Sequence, residues 1–102
     1  MNILVRAGDS LWYYSQIFSL PLRQLIEANQ SLASNQLQIG KEVSVPGYIL
    51  VPYEIQTGDS LWDISRKLRM PLDRLLLVNQ QLNPATLKAG YTIQVPQRIH
   101  EQ

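Results

Sequence analysis

The chain has 102 residues, 45% of them apolar, a formal net charge of +1 and no cysteine. Such a length and polarity fit one ordinary globular domain or two very small ones, and exclude a disordered tail. The near-zero charge argues against a dedicated nucleic-acid binder, and the lack of cysteine removes disulfides and thiolate metal sites.

The opening "MNILVRAGDS" contains an apolar run of only three residues. That is too short for a secretory h-region, and no stretch nears the roughly 20 apolar residues of a membrane span. The chain therefore reads as made without a signal or as a piece of a longer protein. Its ending in "RIHEQ" favours the piece.

In chain order, "NILVR" is a short β-rich segment that stops at the Gly8-Asp9 turn. Ser10 follows where a helix N-cap belongs, its hydroxyl available to an unpaired backbone N–H. Leu11, Tyr14, Ser15 and Phe18 keep to one helical face. Pro21 breaks that helix and opens a second, whose inner face would be Leu22, Leu25 and Ile26. Asn29 suits a left-handed C-cap. A polar loop, a turn at Gly40 and alternating Val43 and Val45 close the unit, stopped by Pro46.

The same series then recurs. Residues 3–48 superimpose on 53–98 without a gap, and sixteen of the forty-six pairs are identical, "GDSLW" among them. This is an internal duplication. "YEIQ" is the second strand segment and Ser60 the second N-cap, with Asp63 three residues later, close to a capping box and suited to the helix dipole. Leu61, Ile64, Ser65 and Leu68 form the first helical face, and Pro71 opens the next helix with Leu72, Leu75 and Leu76 inward. Asn79, Gly90, Ile93, Val95 and Pro96 repeat the ending. Strand, helix, helix, strand in about 45 residues makes an antiparallel pair with both helices on one face, small enough to be marginal alone. The expected boundaries are a first module at 1–47, an apolar linker at 48–52, a second module at 53–98 and a tail at 99–102. Tyr48, Ile49, Leu50 and Val51 are too apolar to suit exposure and are expected to pack between the modules and fix their relative orientation, with Pro52 adding stiffness; a solvated tether is the alternative.

The ordered set "GDSLW…S…L…N…L…G…V.VP", present twice, resembles the LysM domain, and the likeness spans nearly the whole chain. It implies an α+β fold of two tandem βααβ LysM modules, each a two-stranded antiparallel sheet with two helices on one face. It also implies a non-catalytic module that binds N-acetylglucosamine-containing glycan, peptidoglycan or chitin, in a groove between the loop after the first strand and the loop before the last. Carried onto this chain, the first groove takes Gly8, Asp9, Ser10 and Leu11 on one side and Ala33, Ser34, Leu37 and Gln38 on the other. The second takes Gly58, Asp59, Ser60 and Leu61 against Asn83, Pro84, Ala85, Leu87 and Lys88. The first loop lacks the Asn-Pro usual in the family. Backbone amides for the N-acetyl amide, and Leu or Ala for its methyl, suit such a ligand with few charges.

The start "ILVRAGDSLWYYSQ" also looks like the N-terminal region of bacillus-type γ-D-glutamyl-L-diamino-acid endopeptidases. That implies a zinc-dependent catalytic domain in cis, beyond Gln102, and association with a cell wall or spore. A structural role in assembling a spore or wall layer through protein contacts is the alternative.

Within these residues no enzyme is expected. Asp9 and Asp59 belong to separate copies of one tight turn, so turn and cap duty explains them before catalysis. His100 is the sole histidine, too few ligands for zinc, and no metal or cofactor is expected. Trp12 and Trp62, just inside a helix beside apolar neighbours, are expected to pack the core or its rim rather than stack on sugar. Arg66, Lys67, Arg69 and Arg74 read as a solvated helix surface, with attraction to an anionic wall as the second reading. Neither nucleic acid nor membrane is an expected partner.

Overall fold

A strand whose alternate residues are apolar buries one face, and in the computed structural model, which describes residues 1–32 and 37–99, both copies begin this way. In the first, β1 (Asn2–Leu4) lies antiparallel to β2 (Glu42–Ser44), with Ile3 opposite Val43. Ile3 and Val43 point inward while their strand neighbours are exposed or half-buried. Ser10 caps α1 (Leu11–Ile17), its hydroxyl accepting from the Tyr13 N–H at 3.0 Å. Helix α2 (Leu22–Ala28) follows. Leu11, Tyr14, Phe18 and Leu25 come down on Ile3, Val5, Val43 and Val45 to make the core.

The second copy is built alike. β3 (Tyr48–Glu54) pairs with β4 (Thr92–Arg98), and between them lie α3 (Leu61–Lys67), α4 (Leu72–Leu77) and a single 3-10 turn at Pro84–Thr86. Its core is Ile55, Leu61, Ile64, Leu75, Ile93 and Val95. The chain thus forms two βααβ units, each a two-stranded antiparallel sheet with two helices. Contacts divide it into Met1–Tyr48 and Ile49–Gln102.

Several details differ from the sequence reading. Residues 48–52, the expected apolar linker, adopt strand conformation as the start of β3. Tyr48 is buried in the first unit, its ring edge-on to Phe18 at 5.3 Å between centroids and its hydroxyl donating to the Phe18 carbonyl. Ile49 and Leu50 are exposed. Pro96 does not stop its strand. Ile55 bonds Tyr91, so positions 52 and 96, an odd number of residues away, turn their nitrogens from the partner strand, where a missing N–H costs nothing. Pro21 and Pro71 are N-caps of the second helices in extended conformation, one place earlier than N1.

Asn29 and Asn79 are not left-handed. Asn29 has φ −132°, and its buried side chain donates to Leu25 O (2.8 Å) and Ser44 O (2.9 Å) while accepting from Ser44 N (2.7 Å). Asn79 does the same with Leu75 O, Gln94 O and Gln94 N at 2.8, 2.7 and 2.9 Å. One primary amide thereby ties the end of each second helix to the closing strand. Among the described residues the left-handed positions that are not glycine are Ser19 and Arg69, with φ of 53° and 58°. Each closes its helix with paired bonds: Leu20 N to Ser15 O and Ser19 N to Gln16 O in the first, Met70 N to Ser65 O and Arg69 N to Arg66 O in the second.

Of the expected inner face of α2, only Leu25 is fully buried; Leu22 and Ile26 are partly open. Two three-residue strands and one other short helix give too narrow a surface to cover more. Leu68, where Phe18 stands in the first copy, is exposed for a related reason. The residue matching Tyr48 is Arg98, which supplies no ring to cover it.

Candidate functional site

Val5 and Ile55, the residues that precede the two Gly-Asp turns, set the geometry of the loops. Val5 N donates to Lys41 O and Val5 O accepts from Gly40 N, both at 2.9 Å. Ile55 makes the same two bonds with Tyr91 O and Gly90 N, at 2.8 and 2.9 Å. These pairs lie where the loop after the first strand begins and the loop before the last strand ends. Both loops of a unit therefore leave the same end of its sheet.

In the first turn Gly8 adopts φ +83°, a conformation other residues take only with strain. Asp9 then folds back: its carboxylate accepts from Arg6 N (3.2 Å), Arg6 Nε (3.0 Å) and the Tyr14 hydroxyl (2.8 Å). Burial and the neighbouring Asp9 carboxylate push the Tyr14 hydroxyl pKa well above its ordinary value, so Tyr14 stays a proton donor.

In the second turn Gln56 replaces Arg6 and Ile64 replaces Tyr14. Gly58 keeps its positive φ of +85°. Asp59 accepts from Gln56 N at 3.3 Å, and its cation is now Lys67, one helix away in sequence, with Nζ 2.8 Å from Oδ1. The Lys67 ammonium holds the Asp59 carboxyl below its usual range, and Asp59 raises Lys67 in return. Ser60 and Asp63 close a full capping box, Ser60 Oγ accepting from Asp63 N and Asp63 Oδ2 from Ser60 N. Both aspartates are thus engaged in holding the turns.

Leu11 and Leu61 are core residues, 2% and 4% exposed. Only their backbone could face a ligand. Gly8 and Gly58 are exposed, and Asp9 and Ser10 half-exposed. On the opposing loops, Gln38 is exposed and Leu37 half-buried, while Ala33 and Ser34 lie outside the described residues. In the second unit Asn83 caps the 3-10 turn, its Oδ1 accepting from Ala85 N at 3.0 Å. Asn83, Pro84, Ala85 and Lys88 are exposed, and Leu87 packs partly on the core. These surfaces offer backbone amides, carbonyls and small apolar groups. Among the described residues no cluster of His, Cys, Asp or Glu could hold a metal, and no helix is long and apolar enough to cross a membrane. His100 lies outside them.

Trp12 and Trp62 do not pack as expected: they are 61% and 52% exposed. Each is one residue past a buried leucine, which turns it about a quarter of the helix away from the core stripe. Arg66 lies over the Trp62 ring, 4.7 Å from its centroid. An i, i+4 pairing of Trp and Arg was readable in the sequence as a candidate stack, but the basic run concealed it.

The family profile described as LysM domain matches residues 3–46 and 53–96. Gamma-D-glutamyl-L-diamino acid endopeptidase 1 of Lysinibacillus sphaericus is 46% identical over 55 residues, which cover 54% of this chain and 14% of that protein. The chain thus spans a small part of that relative's length. Among solved structures, the spore cortex-lytic enzyme SleL of Bacillus megaterium QM B1551 matches 93% of this chain and 22% of its own, at 28% identity and a TM-score of 0.43. The Bacillus cereus SleL matches 96% and 23%, at 25% identity and 0.41. With the family profile covering both copies of the repeat, the chain belongs to the LysM domain family and carries two tandem members of it.

Proposed function

We propose that the chain is a non-catalytic carbohydrate-binding region that recognises N-acetylglucosamine-containing glycan, specifically peptidoglycan, and carries an attached cell-wall hydrolase to it at a cell wall or spore. LysM domains are generally peptidoglycan-binding. The observation that carries the reading is the pairing of Val5 with Gly40 and Lys41, and of Ile55 with Gly90 and Tyr91, which holds two loops together at one end of each sheet. The candidate glycan contacts are Gly8, Asp9, Ser10, Leu37 and Gln38 with the backbone of Leu11. In the second unit they are Gly58, Asp59, Ser60, Asn83, Pro84, Ala85, Leu87 and Lys88 with the backbone of Leu61. An N-acetyl group would use one amide N–H, one carbonyl and one methyl there.

The hydrolase is supported by a relative whose name is that of an endopeptidase and of which this chain matches only 14%. Its bond, between a γ-D-glutamyl group and a diamino acid, would lie in the peptide of the same polymer. Two copies on one chain suit a repeating ligand, since a second contact made intramolecularly can raise avidity by about 10²–10⁴.

The test is an amide NMR titration with N-acetylglucosamine oligomers of increasing length. Shifts at Asp9–Leu11 and Asp59–Leu61, tightening as the oligomer grows, are expected. An intact spectrum with no movement at either loop pair would overturn the reading and favour assembly through protein contacts.

A further inference from the structure

We propose that the outer face of α3 is a second binding site in the second unit, for the charged peptide substituents that peptidoglycan carries and a plain N-acetylglucosamine polymer lacks, Arg66 receiving a carboxylate and Asp63 an ammonium. This rests on the reading above that the glycan is peptidoglycan. Its peptides, built with γ-D-glutamyl and diamino-acid residues, present free carboxylates and amines close together.

Four charged side chains, Asp59, Asp63, Arg66 and Lys67, line an open hollow of about 390 Å³ on this face. They are not equivalent. Asp59 and Lys67 satisfy each other at 2.8 Å and form a fixed wall. Arg66 and Asp63 are left. Among the described residues the Arg66 guanidinium makes no ion pair or hydrogen bond, and its one contact is with the Trp62 ring beneath it. The contact with the ring uses none of the guanidinium N–H groups in a hydrogen bond, so they remain available to a planar carboxylate. It also restricts the side chain before binding, so less freedom remains to be lost on capture.

Asp63 spends one oxygen, Oδ2, on the Ser60 cap, at 3.1 Å to N and 2.9 Å to Oγ. Its Oδ1 has no partner among the described residues. The hollow therefore presents one cation without an ion-pair partner and, three residues away on the same helix, one carboxylate oxygen without a hydrogen bond. That is the complement of a zwitterionic ligand and a poor match for a neutral sugar.

The first unit supplies an internal control. Asp59 keeps its counterpart in Asp9, but the residues corresponding to Asp63, Arg66 and Lys67 are Tyr13, Gln16 and Ile17, none charged at neutral pH, so the site exists in one copy only. The two copies would then divide recognition, both reading sugar and the second also reading the peptide.

The experiment is calorimetric titration of the full chain with three probes. They are an N-acetylglucosamine tetramer, a peptidoglycan fragment of equal glycan length bearing its peptides, and the free dipeptide γ-D-glutamyl-meso-diaminopimelate. The peptide-bearing fragment should bind about fivefold tighter than the bare tetramer, the size of one exposed charge pair. Arg66→Gln should erase that preference while leaving the tetramer unchanged, and Arg66→Lys, which keeps the charge but loses the fork, should restore only part of it. No preference in the native chain, or one that survives Arg66→Gln, overturns the inference with glycan binding intact. If neither glycan binds, the preceding reading fails and the free dipeptide decides. Shifts of the Trp62 indole N–H on its addition, absent in Arg66→Gln, support the site, and no shift overturns it.

Discussion

Replacing Asn79 with alanine removes one small side chain and three hydrogen bonds, those to Leu75 O, Gln94 O and Gln94 N. At about 1 kcal/mol net for each bond, with further cost for backbone groups left unpaired in a buried place, the loss is about 3 kcal/mol. A unit of roughly 50 residues has about 3–8 kcal/mol of stability in total. The substitution therefore removes a large fraction of what keeps the second unit folded. Urea unfolding followed by amide NMR measures it, with hydrogen exchange at Gln94 as the local readout. Gln94 should lose protection first, because its N–H donates to the deleted oxygen. Gln81→Ala, an exposed neighbour, is the control and should change little. An Asn79→Ala protein that loses less than about 1 kcal/mol and keeps its Gln94 amide protected would refute the idea that this amide fastens helix to strand.

Three further outcomes are expected. Tyr48→Ala should cost about 3–5 kcal/mol, the usual range for emptying a buried aromatic site; amide exchange should place that loss in Met1–Tyr48, and undiminished protection there would contradict the placement of Tyr48 in the first core. Asp59 is held below its usual pKa of 3.8 and Lys67 above its usual 10.5, so their mutual stabilisation is present between those values. It fades as pH falls through the folded pKa of Asp59 or rises through that of Lys67. Melting curves of the native chain and Lys67→Met should accordingly differ near neutral pH and converge in acid below pH 3.8, and a gap that persists there would argue against the pair. Arg69→Gly should raise stability by about 0.5–1 kcal/mol, since Arg69 sits at φ 58° where only glycine avoids strain; an unchanged or lower denaturation midpoint would mean that the left-handed turn costs the native chain nothing.

Ser10 and Ser60 were legible in the sequence because a cap depends on neighbours three positions away. The duplication was legible because identity needs no structure. Asn29 and Asn79 were misread because an asparagine at a helix end most often marks a left-handed cap, and the partner that decides otherwise lies fifteen residues on. Ser19 and Arg69 carried no warning at all, since the residue that normally announces a left-handed turn is glycine. Hydrophobicity alone sends Trp12 and Trp62 inward, but helical phase decides their exposure: position 12 lies beside the Leu11–Tyr14 stripe and not on it. In the candidate site the loops themselves were readable, while the burial of Leu11 and Leu61 and the change of Asp partner from Arg6 to Lys67 depend on packing.

The prolines in β3 and β4 bear on a hazard peculiar to a chain that contains nearly the same unit twice. Each sheet has only two strands, so every strand is an edge, and a strand from the wrong copy or from another molecule could be added there. The outward sides of β3 and β4 carry Pro52 and Pro96, each a gap where an incoming strand would look for a donor. In the first unit the strands are three residues long, too short to template much. Miscollation between repeats, or strand exchange between neighbouring molecules, is thereby discouraged at the sheet edges themselves.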